Sequence, residues 1–274
     1  CTAYLVMVTQ GTATIVHKVT GLPFHLTLVV TWLGYTLFTL YSGSRGVVLT
    51  DTLMFLLFAA VAFLGLAFVV DNAGGWFSAI RDLAQFNSKP GIISWHGQVG
   101  PGANWETPLD AFTWAIILGI AWGIVVAVSP WQASRHLMAR DEHTVIRSAT
   151  ITAAVVMLLY TVLMLAAAAV NLINPAIEPQ QENLIWAAMN AMPPVLGVLM
   201  MSGILAAGLS SASTFLSLSG FSISNDILRV RSDDNRLRLK QSRQAMLGVS
   251  LAALLVALLL PEGRLFWVTY FAGT

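Results

Sequence analysis

A run of small and hydroxyl-bearing residues is the segment of this sequence best suited to binding an ion. It reads Gly-Ile-Leu-Ala-Ala-Gly-Leu-Ser-Ser-Ala-Ser-Thr over residues 203–214, and it is followed by Ser217, Ser219, Ser222 and Ser224. On a helix, Ala207 lies one turn before Ser210 and Ser211, so one carbonyl and two hydroxyls can face the same ion. Sodium, like calcium and magnesium, is a hard cation that prefers oxygen ligands. The spacing is therefore compatible with a sodium site.

The same run is equally typical of a packing surface. Small residues let membrane helices approach closely, and serine or threonine hydroxyls often bond back to their own helix. Taken by itself, the chemistry of the run favours packing over an ion site.

Other chemistries find little support in the sequence. The histidines lie in loops or at the ends of apolar runs, without the spacing of paired metal ligands, and they are His17, His25, His96, His136 and His143. There is no hydrolase motif, and no carboxylate lies in the middle of an apolar run, which argues against a proton pump. The net charge is +1, and no basic patch lies outside the short loops. We therefore expect neither an enzyme nor a nucleic-acid partner.

The composition indicates that most of the chain is surrounded by membrane lipid. Hydrophobic residues make up 57% and charged residues 10% of the chain, and the mean hydropathy is +0.74, whereas soluble domains contain about 25% charged residues. Runs of about 20 uncharged residues can cross a bilayer. They lie at 1–16, 25–42, 52–70, 111–134, 148–171, 193–224 and 244–260, with another starting at Leu265. Because the first and last runs are partial, we expect an all-α polytopic membrane bundle with six complete spans.

Turn-forming residues and two short helices separate these spans. Serines and glycines predict a turn at 42–46. The longest connection covers 71–108, and apolar residues at helical spacing within 76–84 predict an amphipathic helix at the membrane surface. A second short helix is predicted at 182–192, ended by the pair Pro193-Pro194.

The charges of the loops predict the orientation of the spans. When alternate loops are grouped, one set holds ten basic residues and the other holds four. The first set is Arg45, Arg135, Arg140, Arg147, Arg229, Arg231, Arg236, Arg238, Lys240 and Arg243, and the second is Lys18, Arg81, Lys89 and Arg264. Basic residues are enriched in cytoplasmic loops. We therefore expect the 226–243 loop to be cytoplasmic and the 71–108 loop to be external.

Single cysteines test this orientation, because the one native cysteine of this sequence, Cys1, can be replaced by serine. In a Cys1→Ser background, Ser88→Cys should react with a membrane-impermeant maleimide added outside the cell. Ser232→Cys should react with the same reagent only at the cytoplasmic face. The reversed pattern would show that the orientation is wrong.

Three segments, in this order, resemble motifs of the sodium/solute symporter family. Residues 41–51, Tyr-Ser-Gly-Ser-Arg-Gly-Val-Val-Leu-Thr-Asp, resemble its glycine-rich turn ending in Thr-Asp. Residues 129–139, Ser-Pro-Trp-Gln-Ala-Ser-Arg-His-Leu-Met-Ala, are similar to the segment that leads to an arginine and a small-residue turn. Residues 206–227 are similar to its sodium-site helix, which closes on an acidic and a hydrophobic residue. The likeness extends over essentially the whole chain.

The resemblance implies a fold of two inverted five-helix repeats, which hold solute and ion near the middle of the membrane. The chain would begin late in the third core helix and end at the start of the tenth. It also begins at Cys1 without an initiator methionine. We therefore expect 1–274 to be a single transmembrane domain that is truncated at both ends, lacks the first and second core helices, and does not transport by itself.

The resemblance also implies roles for the candidate ion-binding residues. The carbonyl of Ala207 and the hydroxyls of Ser210 and Ser211 would bind sodium. Asp51 would lie near the cytoplasmic exit path of sodium. Its position is equally compatible with a helix N-cap, or with a first-turn acid favoured by the helix dipole.

A solute-facing role is implied for Trp122, thirteen residues before Arg135. Gly119, Gly123 and Pro130 would let its helix loosen. A tryptophan in an apolar span more often packs against other helices or lies at the lipid interface, so both interpretations stay open.

The implied function is sodium-driven uptake of a small organic solute by alternating access across a cell membrane, in bacteria the plasma membrane. One alternative is a transporter-like sensor domain of a signalling kinase, as in some relatives, and another is a helical scaffold without an ion site. Departures from the family pattern leave the solute open, because Ser42-Gly43 replaces Gly-Gly, Leu49 replaces Trp and Ser134 replaces Gln.

Overall fold

The computed structural model describes residues 1–86, 99, 105–178, 182–228 and 235–261. Its helices are α1 (Thr2–Thr20), α2 (Phe24–Asn72), α3 (Trp76–Ala84), α4 (Pro108–Val128), α5 (Pro130–Leu137), α6 (Glu142–Ile173), α7 (Asn183–Asn190), α8 (Pro194–Ser222) and α9 (Asn235–Leu259). A π-helical turn, Ile223–Ile227, follows α8 directly. Several residues named above lie outside the described ranges: Ser88, Lys89, His96, Arg229, Arg231, Ser232, Arg264 and the predicted span from Leu265.

Within the described residues, six helical segments are long and apolar enough to cross a membrane. They are Phe24–Tyr41, Leu49–Asn72, Pro108–Val128, Glu142–Ile173, Pro194–Ile227 and Arg236–Leu259. Each overlaps one of the six complete spans predicted from the uncharged runs, so the predicted all-α membrane bundle is confirmed. The two predicted short helices are present as α3 and α7. In α3, Ala79 and Leu83 are buried, whereas Phe77, an apolar residue of the predicted pattern, is exposed.

The turn predicted at 42–46 is wrong, because α2 continues through it as one helix of 49 residues. The prediction depended on Gly43 and Gly46. Glycine weakens the interior of a helix by roughly 1 kcal/mol but leaves every backbone N–H in place, whereas proline removes one. The sequence contains no proline between Pro23 and Pro90, so nothing in α2 forces the helix to end.

A break divides the apolar run predicted at 111–134. α4 ends at Val128, Ser129 has an extended backbone with ψ 138°, and α5 begins at Pro130. Proline biases the preceding residue away from the helical region. The hydroxyl of Ser129 donates to the carbonyl of Val126 at 2.7 Å and so satisfies an acceptor at the helix end.

Packing divides the chain into two compact units, Cys1–Leu56 with Gly203–Thr274, and Leu57–Ser202. In the second unit, Ala62 of α2 packs with Leu159 and Val162 of α6. The first unit contains α1, the first part of α2, most of α8 and α9. It holds the hydroxyl-rich segment.

Within the first unit, α8 and α9 run antiparallel and approach closely at Gly220. A β-carbon there would lie 2.3 Å from Cγ of Met246, so a larger residue would force the helices apart. One turn later, the hydroxyls of Ser224 and Ser242 lie 3.0 Å apart and are both buried. These two contacts hold α9 against the end of α8.

Candidate functional site

The three proposed sodium ligands lie on one turn of α8, which is a regular helix from Pro194 to Ser222. The backbone is not unwound here, so the carbonyl of Ala207 accepts a helical bond from the N–H of Ser211. A carbonyl oxygen has two lone pairs, and the second can face an ion. The hydroxyl of Ser210 lies on the same side of the helix. The geometry offers up to three oxygens at one place.

The hydroxyls of this segment differ in their hydrogen bonds. Ser213 is fully buried and donates to the carbonyl of Leu209 at 2.8 Å, which is the back-bond expected of a packing serine. Ser210 and Ser211 are half-buried, and neither hydroxyl bonds to another described residue. Their oxygens are thus available to a ligand in a way that the oxygen of Ser213 is not.

Free hydroxyls by themselves do not identify the site. Ser217 and Ser219, further along α8, are also half-buried and form no hydrogen bond within the described chain. What distinguishes Ser210 and Ser211 is their spacing from Ala207. The second pair therefore serves as a matched control.

The hydroxyl-rich segment is held in place by α1, which lies antiparallel to α8. A β-carbon on Gly208 would lie 2.5 Å from Oγ1 of Thr12, so α1 crosses α8 at the glycine between the proposed ligands. Two turns further along, the rings of Tyr4 and Phe215 stack with centroids 5.3 Å apart. Because each residue turns a helix by about 100°, the side chain of Ser210 points roughly 160° away from Gly208 and that of Ser211 roughly 60° away. α1 therefore supports the segment from a side that is nearly opposite to Ser210 and closer to Ser211.

Asp51 belongs to the same compact unit and is half-buried. It lies well inside α2, with helical residues on both sides. The alternative roles at a helix start, N-cap or first-turn acid, are therefore wrong for this residue. A role in sodium movement stays a prediction.

Trp122 lies on α4 in the other compact unit and is half-buried. Gly119 and Gly123 stay inside the regular helix, with no atom within 4 Å of an added β-carbon at either. The helix breaks instead at Ser129, next to Pro130. Trp122 therefore lies two turns before a real helix break, and its contact with a solute stays a prediction.

The described residues contain no group of three or more His, Cys, Asp or Glu side chains that could hold a metal ion. The candidate sodium ligands on α8 are instead hydroxyl and carbonyl oxygens. The sequence signalled this chemistry through the density of serines. It did not single out Gly208 or its partner Thr12, because a glycine in a small-residue run predicts close packing but not the partner helix.

The contact of Gly208 with Thr12 can be tested with one substitution and its compensation. Gly208→Ala should lower the thermal stability of the purified protein, because inserting an extra methyl group into a tight contact costs about 1–3 kcal/mol. Thr12→Ala removes the atom that the new methyl group would meet. The double variant should therefore regain most of the lost stability.

Gly119→Ala is the control, since its added β-carbon meets no atom within 4 Å. It should melt at or above the temperature of the parent, because alanine favours helix. Equal stability of Gly208→Ala and the parent would contradict the close approach of α1 and α8.

Comparisons with known proteins agree with the three sequence motifs. The chain matches the profile of the sodium:solute symporter family over residues 1–273. It is 24% identical over 265 residues to the sodium/pantothenate symporter of Escherichia coli (strain K12), which covers 96% of this chain and 53% of that protein. The chain therefore spans about half the length of this relative.

A solved structure, a Na+-coupled sialic acid symporter in a substrate-bound outward-open state, has the same fold. Its TM-score is 0.75 at 18% identity, over 96% of this chain and 57% of that one. This likeness confirms the predicted fold class, part of an inverted-repeat transporter fold. Because the family profile matches nearly every residue, this integral membrane chain belongs to the sodium:solute symporter family.

Proposed function

We propose that this chain takes part in sodium-coupled symport of a small organic solute across a cell membrane by alternating access. The observation that carries the proposal is the unbroken family match over residues 1–273. Both relatives named above couple sodium to an organic solute, as their names state. The E. coli relative supports a bacterial plasma membrane as the location. The continuous match also supports reading the chain as one transmembrane domain.

In this proposal, sodium is cargo, and its ligands include the carbonyl of Ala207 and the hydroxyls of Ser210 and Ser211. None of these groups carries a charge or titrates near neutral pH. The site can therefore release sodium without separating it from a buried opposite charge, which would hold the ion strongly in a low-dielectric interior. Weak, exchangeable binding is what a transporter needs from its driving ion.

Asp51 has a different role in the proposal. A carboxylate is a strong ligand for a hard cation, and Asp51 lies within the same compact unit as the serines. We place it on the path by which sodium leaves toward the cytoplasm. Its charge would attract the departing ion.

Trp122 is proposed to face the solute. It is the half-buried aromatic side chain two turns before the break at Ser129, and backbone groups freed at broken helices are where such transporters bind their cargo. The relatives carry pantothenate and sialic acid. For this chain the proposal is limited to a small organic solute.

Substitution of Ser210 and Ser211 tests whether these residues bind sodium or only pack against neighbouring helices. In the full-length protein reconstituted into vesicles, Ser210→Ala with Ser211→Ala should raise the sodium concentration for half-maximal uptake about tenfold or more. Removing two oxygens takes away ligands that water in a closed site does not replace, and each 1.4 kcal/mol lost weakens binding tenfold. Packing alone predicts little change, since alanine is also small and interhelical hydroxyl bonds in membranes average about 0.6 kcal/mol.

The matched control is Ser217→Ala with Ser219→Ala, which removes two equally free hydroxyls from the same helix. Its sodium requirement should equal that of the parent. An unchanged requirement in the first double variant, or an equal shift in both, would refute the site.

Asp51→Asn tests the exit path, since it removes the charge at nearly constant volume. Sodium-driven uptake should slow roughly tenfold, as expected from losing an interaction worth about 1.4 kcal/mol, while the amount of protein in the membrane stays near the parent's. Uptake per folded protein is the quantity to measure. Normal uptake at normal expression would remove Asp51 from the mechanism.

A further inference from the structure

The end of α9 depends on a side chain from α1. The N–H of Leu260 donates to the carbonyl of Val256 at 3.0 Å. The next residue, Pro261, has no N–H and cannot donate to the carbonyl of Ala257. The side-chain amide of Gln10 replaces that donor, with Nε2 at 3.1 Å from the oxygen of Ala257 and 3.2 Å from the oxygen of Leu260. One amide thus bonds to two carbonyls that receive no backbone N–H from the described residues.

The bond between Gln10 and Ala257 is shielded from solvent. Gln10 is 1% exposed and Ala257 is fully buried. Because carbonyls only accept hydrogen bonds, the NH2 group of the amide must face them. Its Oε1 has no partner among the described residues. The two hydrogen bonds therefore fix the side chain of Gln10 and the last carbonyls of α9 relative to each other.

The same stretch of α1 touches α8 on a different side. Thr12 meets Gly208, inside the proposed sodium segment 207–211. Two residues of a helix differ by about 200° in direction, so Thr12 and Gln10 point to nearly opposite sides of α1. α1 therefore lies between the sodium segment of α8 and the end of α9.

Elsewhere α8 and α9 contact each other directly, through Gly220 with Met246 and Ser224 with Ser242. Residues 207–211 lie near the middle of α8 and residues 257–260 at the C-terminal end of α9, both away from those contacts, and there α1 bridges the two helices. If residues 207–211 of α8 move, either the tight contact between Gly208 and Thr12 opens, or α1 moves together with α8. Movement of α1 changes the two bonds that Gln10 makes.

We propose that Gln10 is a positioning residue that transmits sodium occupancy of α8 to the end of α9. The inference rests on the proposed sodium site. Sodium bound at 207–211 fixes α8 against α1, and Gln10 then fixes the carbonyls of Ala257 and Leu260. Without sodium, α1 and the end of α9 are free to shift together.

The test uses the full-length protein in vesicles with Leu260→Cys as the only cysteine. Its labelling rate by a permeant maleimide is compared in sodium chloride and choline chloride. Sodium should change the rate about fivefold, the lower end of usual coupling between sites. Gln10→Met keeps the length of the side chain and removes its donors, so the ratio of the two rates should fall to about one.

Thr9→Val is the matched control. Thr9 is as buried as Gln10 and adjacent to it, but its hydroxyl bonds to the carbonyl of Leu5 in α1 and to the hydroxyl of Tyr35 in α2. This variant should keep the sodium effect of the parent on Leu260→Cys. A Gln10→Met protein that also keeps it would overturn the inference.

A second variant keeps the test informative if Gln10→Met folds poorly. Adding Pro261→Ala supplies a backbone N–H for the carbonyl of Ala257, so the folded yield should recover. The sodium effect on labelling should stay lost, because the link to α1 is still missing. If the sodium effect returns, Gln10 only satisfies a carbonyl and the inference fails.

Uptake by the parent separates this inference from the proposed function. Sodium-driven uptake with no sodium effect on Leu260→Cys labelling would contradict the inference alone. Uptake that does not depend on sodium would contradict the proposed function.

Discussion

The interior of a membrane offers no water to the backbone, so each N–H and C=O group that lies there must be satisfied by the protein. Long helices meet this requirement along most of the chain. Where a helix ends inside an apolar stretch, a side chain completes it, as Ser129 does at the end of α4 and Gln10 at the end of α9. In the second compact unit, Asn183 donates to the carbonyl of Ala167 at 3.2 Å. Some of the polar side chains of the core are therefore found next to the ends of helices, where backbone groups lack helical partners.

Close packing is the second consequence of a lipid solvent. Between helices in lipid there is no hydrophobic force of the kind that assembles a soluble core, so contact area and close approach hold the helices together. Gly208 and Gly220 allow such approach in the first unit, and Gly197 allows it in the second, where a β-carbon would lie 2.0 Å from the carbonyl oxygen of Ala188. On α8, the same composition that provides free hydroxyls also lets neighbouring helices come near. Within this one segment, Ser213 is buried and back-bonded as a packing serine is, whereas the hydroxyls of Ser210 and Ser211 form no hydrogen bond with the described residues.

The spans and short helices could be predicted because each depends on local composition. An uncharged run of sufficient length predicts a membrane span, and apolar residues at helical spacing predict an amphipathic helix, without knowledge of the rest of the chain. The continuity of α2 could not be predicted in this way, since the glycines at 43 and 46 are compatible with both a turn and a helix. The bonds from Gln10 to Ala257 and Leu260 could not be predicted from the sequence either, because they join residues about 250 positions apart. Within the candidate site, residue types indicated sodium, but only coordinates could separate the back-bonded hydroxyl of Ser213 from those of its neighbours.

Several hydroxyls of the described helices donate to a carbonyl of their own helix, as those of Thr12, Thr14, Thr39, Thr150 and Thr161 do. A bond that closes within one helix survives when that helix slides along its neighbour. Sliding of one packed helix along another would therefore break few of these hydrogen bonds. The energetic cost of sliding would come mainly from side chains that must repack against the neighbouring helix. A protein built this way resists unwinding of its helices much more than displacement of one helix against another. The alternating access proposed above would require this mechanical character, because it moves helices without unfolding them.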